Sequence, residues 1–359
     1  MEQNVASAVR RFLVIEFPVS EQSSESGVVL LAAVSGGADS MAMLSALCKL
    51  RADESCSLHC LHVEHGLRSA QESRGDAEFV RSFCEKHQID CHVVHIPPGK
   101  IAAYAKEKGA GIAAAARYFR HKALYKEAER LGQNTVILLA HTNDDVLETA
   151  LMRTLRGAGP SGLASMPVSR TIQQGKSRIF RPLLYTSRAE IIEYLNAKNI
   201  FWREDNSNTD EHYLRNRLRR RLVPVLNEFF PFWKIGLSKM AETQAYTAEF
   251  IVENAKNLVK WDIEKNKKGS LKVLCLSTDA DNFFARHQII REESIFQAVN
   301  ILFKGKPGFS PRRSAIRQFA KGGKKAIDLG FVRICQKEGK IFAVRPRKFF
   351  ECGVLRLIK

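Results

Sequence analysis

Short, largely apolar runs at 28–34, 57–63, 90–95 and 135–140 alternate in the first half of the chain with longer stretches, about 40–51, 72–87, 112–131 and 144–155. In those stretches apolar residues recur at three- and four-residue spacing. The first pattern predicts strands and the second predicts helices with one apolar face. Such alternation predicts the α/β class, a parallel sheet with helices on both faces. Ligands of such sheets bind beyond the carboxyl ends of the strands, so the residues after Val34, Val63 and Ala140 are where chemistry is expected.

Residues 160–179 are rich in Gly, Pro, Ser and Gln and read as a loop. Ser187 with Glu190 three residues on forms a capping box that predicts a helix to about Lys198. Around Pro224 and Pro231 the pattern changes, and a long amphipathic helix over about 232–261 begins a second, smaller α+β domain. Ser310 followed by Pro311 predicts another helix start. Strands are expected at 326–329, 331–336 and 340–344, the last two joined by a turn at Glu338-Gly339. The organisation expected is an N-terminal extension at 1–25, a catalytic domain at 26–221 and a basic C-terminal region at 222–359, helical over 232–322 with a β-hairpin within 326–345.

The 359 residues are 45% apolar and 26% charged, which suits two globular domains and excludes a disordered chain. No apolar run approaches the roughly 20 residues that span a bilayer, and the N-terminal apolar run is too short for a signal peptide. A cytoplasmic protein without membrane contact is expected. Eight cysteines, at 48, 56, 60, 84, 91, 275, 335 and 352, include no C-x-x-C pair, which predicts reduced, mostly buried thiols. His59, His62 and His65 do not read as a metal triad, because along a strand His62 faces away from the other two.

Charge is divided unevenly along the chain. Residues 1–211 carry 25 basic and 25 acidic side chains, whereas residues 212–359 carry 31 and 13, the whole net excess of +18. A basic half beside a neutral one predicts a polyanionic partner, since each neutralised phosphate releases counterions. Within it the pair Lys324 and Lys325 is a candidate RNA contact.

The strongest local motif is Ser35-Gly36-Gly37-Ala38-Asp39-Ser40, between the first strand and the first helix. Two glycines permit a tight turn in which backbone N–H groups and the Ser35 and Ser40 hydroxyls face an anion at a helix N-terminus. The spacing is not that of a Walker A loop, and the turn has no lysine. A G-x-G-x-x-G match at 157–162 follows a helix rather than a strand, so a dinucleotide site is not expected there. After the second strand, His65-Gly66-Leu67-Arg68 is suited to turn toward a phosphate. After the fourth, His141-Thr-Asn-Asp-Asp145-Val-Leu-Glu148 sets Asp145 and Glu148 one helical turn apart, with His141 just before the helix. These carboxylates can hold Mg²⁺ or orient a cationic nucleophile, and the histidine can assist proton transfer. Farther on, Arg215 and Arg219 share a helix face and suit phosphates by their fork of donors.

The segment at 35–40 resembles the SGGxDS signature of the PP-loop ATP pyrophosphatases, which cleave ATP between the α- and β-phosphates. With HGLR at 65–68, A-R-x-x-R at 116–120, HxxDDxxET at 141–149, R-G-x-G-x-x-G-L at 156–163, RPLL at 181–184 and D-x-S-N…R-N-x-x-R at 205–219, the chain resembles the tRNA(Ile)-lysidine synthetase family over about 30–219. The resemblance implies two steps. ATP adenylates the C2 oxygen of the wobble cytidine of a tRNA(Ile) with a CAU anticodon, and the ε-amino group of free L-lysine then displaces AMP. It implies ATP and Mg²⁺ as cofactors, Asp39 as metal ligand, and Ser35–Ser40 with His65 and Arg68 as the ATP and pyrophosphate site. Asp39, His141, Asp145 and Glu148 are then catalytic, and Arg117, Arg120, Arg215 and Arg219 contact phosphates of ATP or tRNA. Ala113 stands where family members often carry Glu. The rival readings are a PP-loop tRNA thiolation enzyme, which usually uses cysteine pairs, and a non-catalytic nucleotide-dependent RNA-binding protein.

Overall fold

The computed structural model describes residues 3–16, 27–51, 56–67, 70–132, 134–164, 166–172, 177–204, 214–264, 275–303 and 311–345. They fall into two compact units, 1–158 with 165–240, and 159–164 with 241–359.

The first unit is built on a six-stranded sheet. Its elements are α1 (Gln3–Glu16), β1 (Val28–Ala33), α2 (Ala38–Arg51), β2 (Cys56–Glu64), α3 (Ala70–Lys86), β3 (Asp90–His95), α4 (Lys100–Lys108), α5 (Ile112–Leu131), β4 (Thr135–Leu139) and α6 (Asn143–Leu155). After the one-turn helix α7 (Pro160–Leu163), which belongs to the second unit, come β5 (Ser169–Ile172), β6 (Ser177–Phe180), α8 (Arg188–Ala197), α9 (Leu214–Arg217), a π-helical turn at Leu218–Leu222, α10 (Val223–Phe229) and α11 (Trp233–Leu258). The strand order is β3-β2-β1-β4-β6-β5, parallel except for the edge strand β5. Alternate residues of the central strands supply two cores. Leu30, Ala32, Val136 and Leu138 pack with α2, α3 and α8 on one face, while Leu31, Ile137 and Leu139 pack with Leu124 and Ala128 of α5 on the other. The apolar strands therefore read as they do because both faces are covered.

Several elements differ from the sequence expectation. The segment expected as an N-terminal extension folds as α1, whose Val5 and Val9 are fully buried in the first core. The stretch 160–179, expected as a loop, contributes α7, β5 and the start of β6. These strands are four residues long, too short to show a period, and only Ile179 and Phe180 reach the two cores. The helix α4 also escaped the pattern. The capping box at Ser187 is present, with Glu190 accepting from the Ser187 N–H at 2.8 Å. The division between units falls at Met240, inside α11, rather than at 221, because periodicity continues through a helix that both units use.

The second unit carries a five-stranded antiparallel sheet, in the order β7 (Asp262–Ile263), β8 (Cys275–Asp279), β11 (Lys340–Val344), β10 (Arg333–Lys337) and β9 (Ala326–Asp328). Helices α12 (Ala280–Phe284), α13 (Gln288–Phe303) and α14 (Arg313–Ala320) cover one face, around Phe283, Ile295, Phe319, Ile334 and Ile341. The range 232–322 is thus not wholly helical, since β7 and β8 lie within it. The hairpin turn is where the sequence puts it, with Glu338 and Gly339 at φ 49° and 73°, the mirror-image turn that suits strand twist. Ser310 lies outside the described residues, and α14 starts at Arg313 behind Arg312.

Candidate active site

The carboxyl ends of β1, β2 and β4 open onto one cavity of about 600 Å³, within the range of small-molecule sites. Ser35, Gly37, Asp39, Ser40, His62, His65, Arg117, Arg120, His141, Asp145, Arg203 and Arg215 line it. Most residues singled out from the sequence around the strand ends therefore converge in one place. Arg68 lies outside the described residues, as does Asp205.

The loop after β1 is organised by its own hydroxyls. Gly36 adopts φ 90°, a region open to glycine. The Gly37 N–H donates to Ser35 Oγ at 3.4 Å, the Ser35 N–H to Ser40 Oγ at 3.2 Å, and Ser40 Oγ to the Gly37 carbonyl at 2.8 Å. The turn is thereby set at the N-terminus of the fourteen-residue α2, where Ala38 begins the helix and the dipole favours an anion. Arg203, in a segment that the sequence marked only through Asp205, holds this loop from outside. Its N–H donates to the Gly36 carbonyl at 2.9 Å and its Nε to Asp76 at 2.8 Å. After β2, Gly66 has φ 61°, and a Cβ there would sit 2.6 Å from the Ile96 carbonyl, so the turn at His65-Gly66 needs glycine.

Asp39 is ion-paired with Arg188, a residue the sequence reading missed because it follows the Ser187 cap rather than a strand. Burial raises the Asp39 carboxyl above its ordinary value and the Arg188 charge opposes that rise. A partly desolvated carboxylate lining the cavity in the first turn of α2 is of the chemistry that fits a hydrated Mg²⁺, which is held by one or two carboxylates.

At α6 the cap is Thr142. Its hydroxyl oxygen accepts from the Asp145 N–H at 3.4 Å, and Asp145 Oδ2 accepts from the Thr142 N–H at 2.9 Å. Asp144 instead accepts from the Arg188 N–H at 2.7 Å. The outer oxygen of Asp145 receives Arg215 Nη2 at 2.7 Å. Glu148, 5% exposed, takes Arg215 Nε at 2.6 Å and Arg219 Nε at 2.7 Å. The two carboxylates and two guanidinium groups, expected to serve separate ligands, thus form one salt-bridged cluster beside the cavity. His141 is pushed down to about 3 by burial and by the charges of Arg117, Arg181, Arg120 and Arg215, and its buried Nδ1 has no partner. It is a neutral imidazole near neutral pH, an acceptor rather than an acid.

Arg117 and Arg120 form the cationic wall. Burial, then the charge of Arg117, lowers Arg120 to about 10, and its buried Nε is unpaired. Desolvated guanidinium groups that repel one another attract an anion. The histidines of β2 do not gather: His62 Nδ1 meets the Val34 carbonyl at 2.9 Å and His59 faces Asp90 at 3.5 Å. Lys324 and Lys325 are exposed in the turn between α14 and β9 of the second unit.

A glycine-turned loop at the N-terminus of the first crossover helix of a parallel sheet, facing acidic and basic side chains from the neighbouring strand ends, defines a nucleotide-binding α/β protein. Residues 5–226 match the family model of the PP-loop domain, and the chain belongs to that family. More particularly, it is 40% identical over 239 residues to a tRNA(Ile)-lysidine synthase of Treponema denticola, covering 66% of this chain and 50% of that protein. With the tRNA(Ile)-lysidine synthase of Bacillus subtilis it shares 32% over 282 residues, 78% and 57% of the two chains. The chain spans about half the length of these curated relatives. Among solved structures, the U34-tRNA thiolase NcsA from Methanococcus maripaludis with its [4Fe-4S] cluster aligns at a TM-score of 0.51 and 15% identity, over 68% of this chain and 79% of that one, a likeness of fold.

Proposed function

We propose that the chain ligates free lysine to C2 of the wobble cytidine of a CAU-anticodon tRNA(Ile), using ATP and releasing AMP and pyrophosphate. The observation that carries this reading is that one cavity is lined both by the loop at Ser35–Ser40 and by Asp145, whose arginine partner Arg215 also lines it and links it to the buried Glu148 beside the cavity. The loop's N–H groups and the N-terminus of α2 receive the pyrophosphate part of ATP and stabilise the charge that develops as it leaves. Asp39, exchanging Arg188 for the ion, would hold Mg²⁺, which would supply charge neutralisation on the phosphate oxygens. Arg117 and Arg120 face the remaining phosphate charge.

Lysine brings an ammonium group, and two carboxylates already dressed by guanidinium donors are a site for it. The incoming ammonium exchanges for Arg215 on Asp145 or Glu148, and the released arginine turns to a phosphate of ATP or tRNA. His141, neutral and unpaired at Nδ1, can accept a hydrogen bond from the amine and take its proton only as product phosphate charge offsets the surrounding arginines. Thiolation is less well supported, because no cysteine lines the described part of the cavity.

The test is to incubate the protein with ATP, Mg²⁺ and bulk bacterial tRNA, with and without radiolabelled lysine. AMP, pyrophosphate and lysine retained in RNA are expected. AMP and pyrophosphate without lysine transfer would return the second substrate to unknown, and a thiol donor would be tried next.

The basic excess bears on tRNA capture. Of the net +18, residues 241–359 hold 24 basic against 12 acidic side chains, and the arginine-rich 215–221 segment contributes most of the rest. Replacing Lys324 and Lys325 by alanine should weaken tRNA binding and reduce the dependence of log K on log salt by roughly 1.5 to 2, while ATP is still cleaved at the same bond. An unchanged affinity in filter binding across a salt series would move the RNA footprint elsewhere.

A further inference from the structure

The cysteines tell a different story in the fold than in the sequence. Five of them, Cys48, Cys56, Cys60, Cys84 and Cys91, belong to or pack against the core between the sheet and its first-face helices. Three converge from separate elements: Cys60 from β2, Cys84 from α3 and Cys91 from β3. Their Sγ atoms all lie within 4.8 Å of one another, and they form the one group of three or more metal-ligating side chains among the described residues. Cys60 and Cys91 sit directly opposite each other in the parallel ladder, so both project to the same face, where Cys84 meets them. None of the three lines the nucleotide cavity.

From this geometry we propose that Cys60, Cys84 and Cys91 form a structural binding site for one thiophilic d¹⁰ metal ion, Zn²⁺ or Cu⁺, distinct from the ATP site. Three thiolates at a metal–sulfur distance of about 2.3 Å stand roughly 3.8 Å apart at three corners of the tetrahedron Zn²⁺ prefers, with water or another donor at the fourth, or roughly 4 Å apart in the trigonal plane open to Cu⁺, so sulfurs already within 4.8 Å need to close by about an ångström or less. Soft sulfur donors select such ions over Mg²⁺, which seeks oxygen. Binding converts three thiols to thiolates and releases three protons, leaving one net negative charge with Zn²⁺ or two with Cu⁺. The Arg81 guanidinium of α3 acts on Cys91 and stands near enough to offset part of it. The ion would tie the edge strand β3 to β2 and α3, a staple at the sheet edge, where pairing is weakest. Sequence spacing could not reveal this site, because its ligands are separated by 24 and 7 positions and meet only through the strand pairing.

The test uses the whole chain, reduced, treated with a chelator and returned to buffer without it. Zn²⁺ is then added in competition with a chromophoric chelator, Cu⁺ is added in competition with bicinchoninate, and Cd²⁺ serves as an optical probe of thiolate ligation. One arm is expected to give one ion per chain, with a thiolate-to-cadmium absorption band that saturates at one equivalent. Cys91→Ser should weaken binding at least tenfold and remove about a third of the band, while Cys335→Ser, in the second unit, leaves both unchanged. A melting series on the unaltered protein guards against a variant that fails to fold: the preferred ion should raise the midpoint in a concentration-dependent way that a chelator reverses. No band and no shift at several equivalents overturns the site, as does a band equally strong in Cys91→Ser. Iron with acid-labile sulfide in the protein as isolated would also overturn a mononuclear site.

Discussion

Asp39→Ala should reduce ATP-dependent pyrophosphate release by about 10²- to 10³-fold or more while leaving tRNA affinity within about twofold. The magnitude is that of removing one preorganised electrostatic contact from a developing phosphate charge. The prediction is sharpened by what Asp39 does to stability. Its carboxyl is raised by burial, and a group whose folded value lies above its unfolded value contributes stability below the unfolded value and loses it as pH rises through the folded one. At neutral pH the ionised Asp39 is therefore a cost to the fold, only partly offset by Arg188, which is 47% exposed and so a weak partner. The variant should melt no lower than the parent, and its loss of activity should not be recovered by excess Mg²⁺. A lowered melting point together with lost tRNA binding would show that Asp39 supports the fold instead, and the phosphate loop would have to be reassigned.

The α/β architecture was legible because the central strands are covered on both sides, so that β1 and β4 are apolar at nearly every position and stand out from their helices. The pieces that were not legible differ in cause. Strands β5 and β6 are four residues long and present too few periodic positions, whereas α1 does carry an apolar face, with Val5 and Val9 one turn apart, but stands outside the strand–helix alternation that reveals the sheet. β7 and β8 lie in a stretch whose neighbours are strongly helical, and one periodic helix, α11, runs through the division between the units. Around the cavity, the candidates carried by strand ends and glycine turns, Ser35, Asp39, His65, His141 and Asp145, with Glu148 beside them, were legible in the sequence. The residues that hold them were not. Arg188 and Arg203 reach Asp39 and the Ser35–Ser40 loop from about 150 to 170 positions away, and no local pattern encodes such a contact. The same holds for the pairing of Arg215 and Arg219 with the acidic pair, which sequence spacing treated as two separate sites. The cysteine cluster is the extreme case, invisible in spacing and defined only by strand register.

Glu148→Ala should separate the two halves of the proposed reaction. Glu148 is buried, carries two charge-assisted hydrogen bonds at 2.6 and 2.7 Å, and sits one turn along α6 from Asp145. Its removal leaves Arg215 and Arg219 without that acceptor. Because these side chains are 39% and 49% exposed they can rehydrate, and the loss of stability should be about 1–3 kcal/mol rather than the larger cost of a fully buried orphan. If Glu148 receives the lysine ammonium, lysine transfer should fall by at least about 100-fold, with a raised KM for lysine, while AMP and pyrophosphate still form from ATP and tRNA. Glu148→Gln, which keeps one acceptor oxygen and loses the charge, should restore the melting point more than it restores lysine transfer. The opposite pattern, lost pyrophosphate release with an unchanged KM for lysine, would mean that Glu148 acts by holding Arg215 and Arg219 toward the phosphates. The ammonium site would then fall to Asp145, whose Oδ2 is already committed to the Thr142 cap and whose Oδ1 alone faces an arginine. One carboxylate oxygen is a poorer seat for a cation than the pair, which is why the buried Glu148, and not the capping Asp145, should carry the larger effect on lysine.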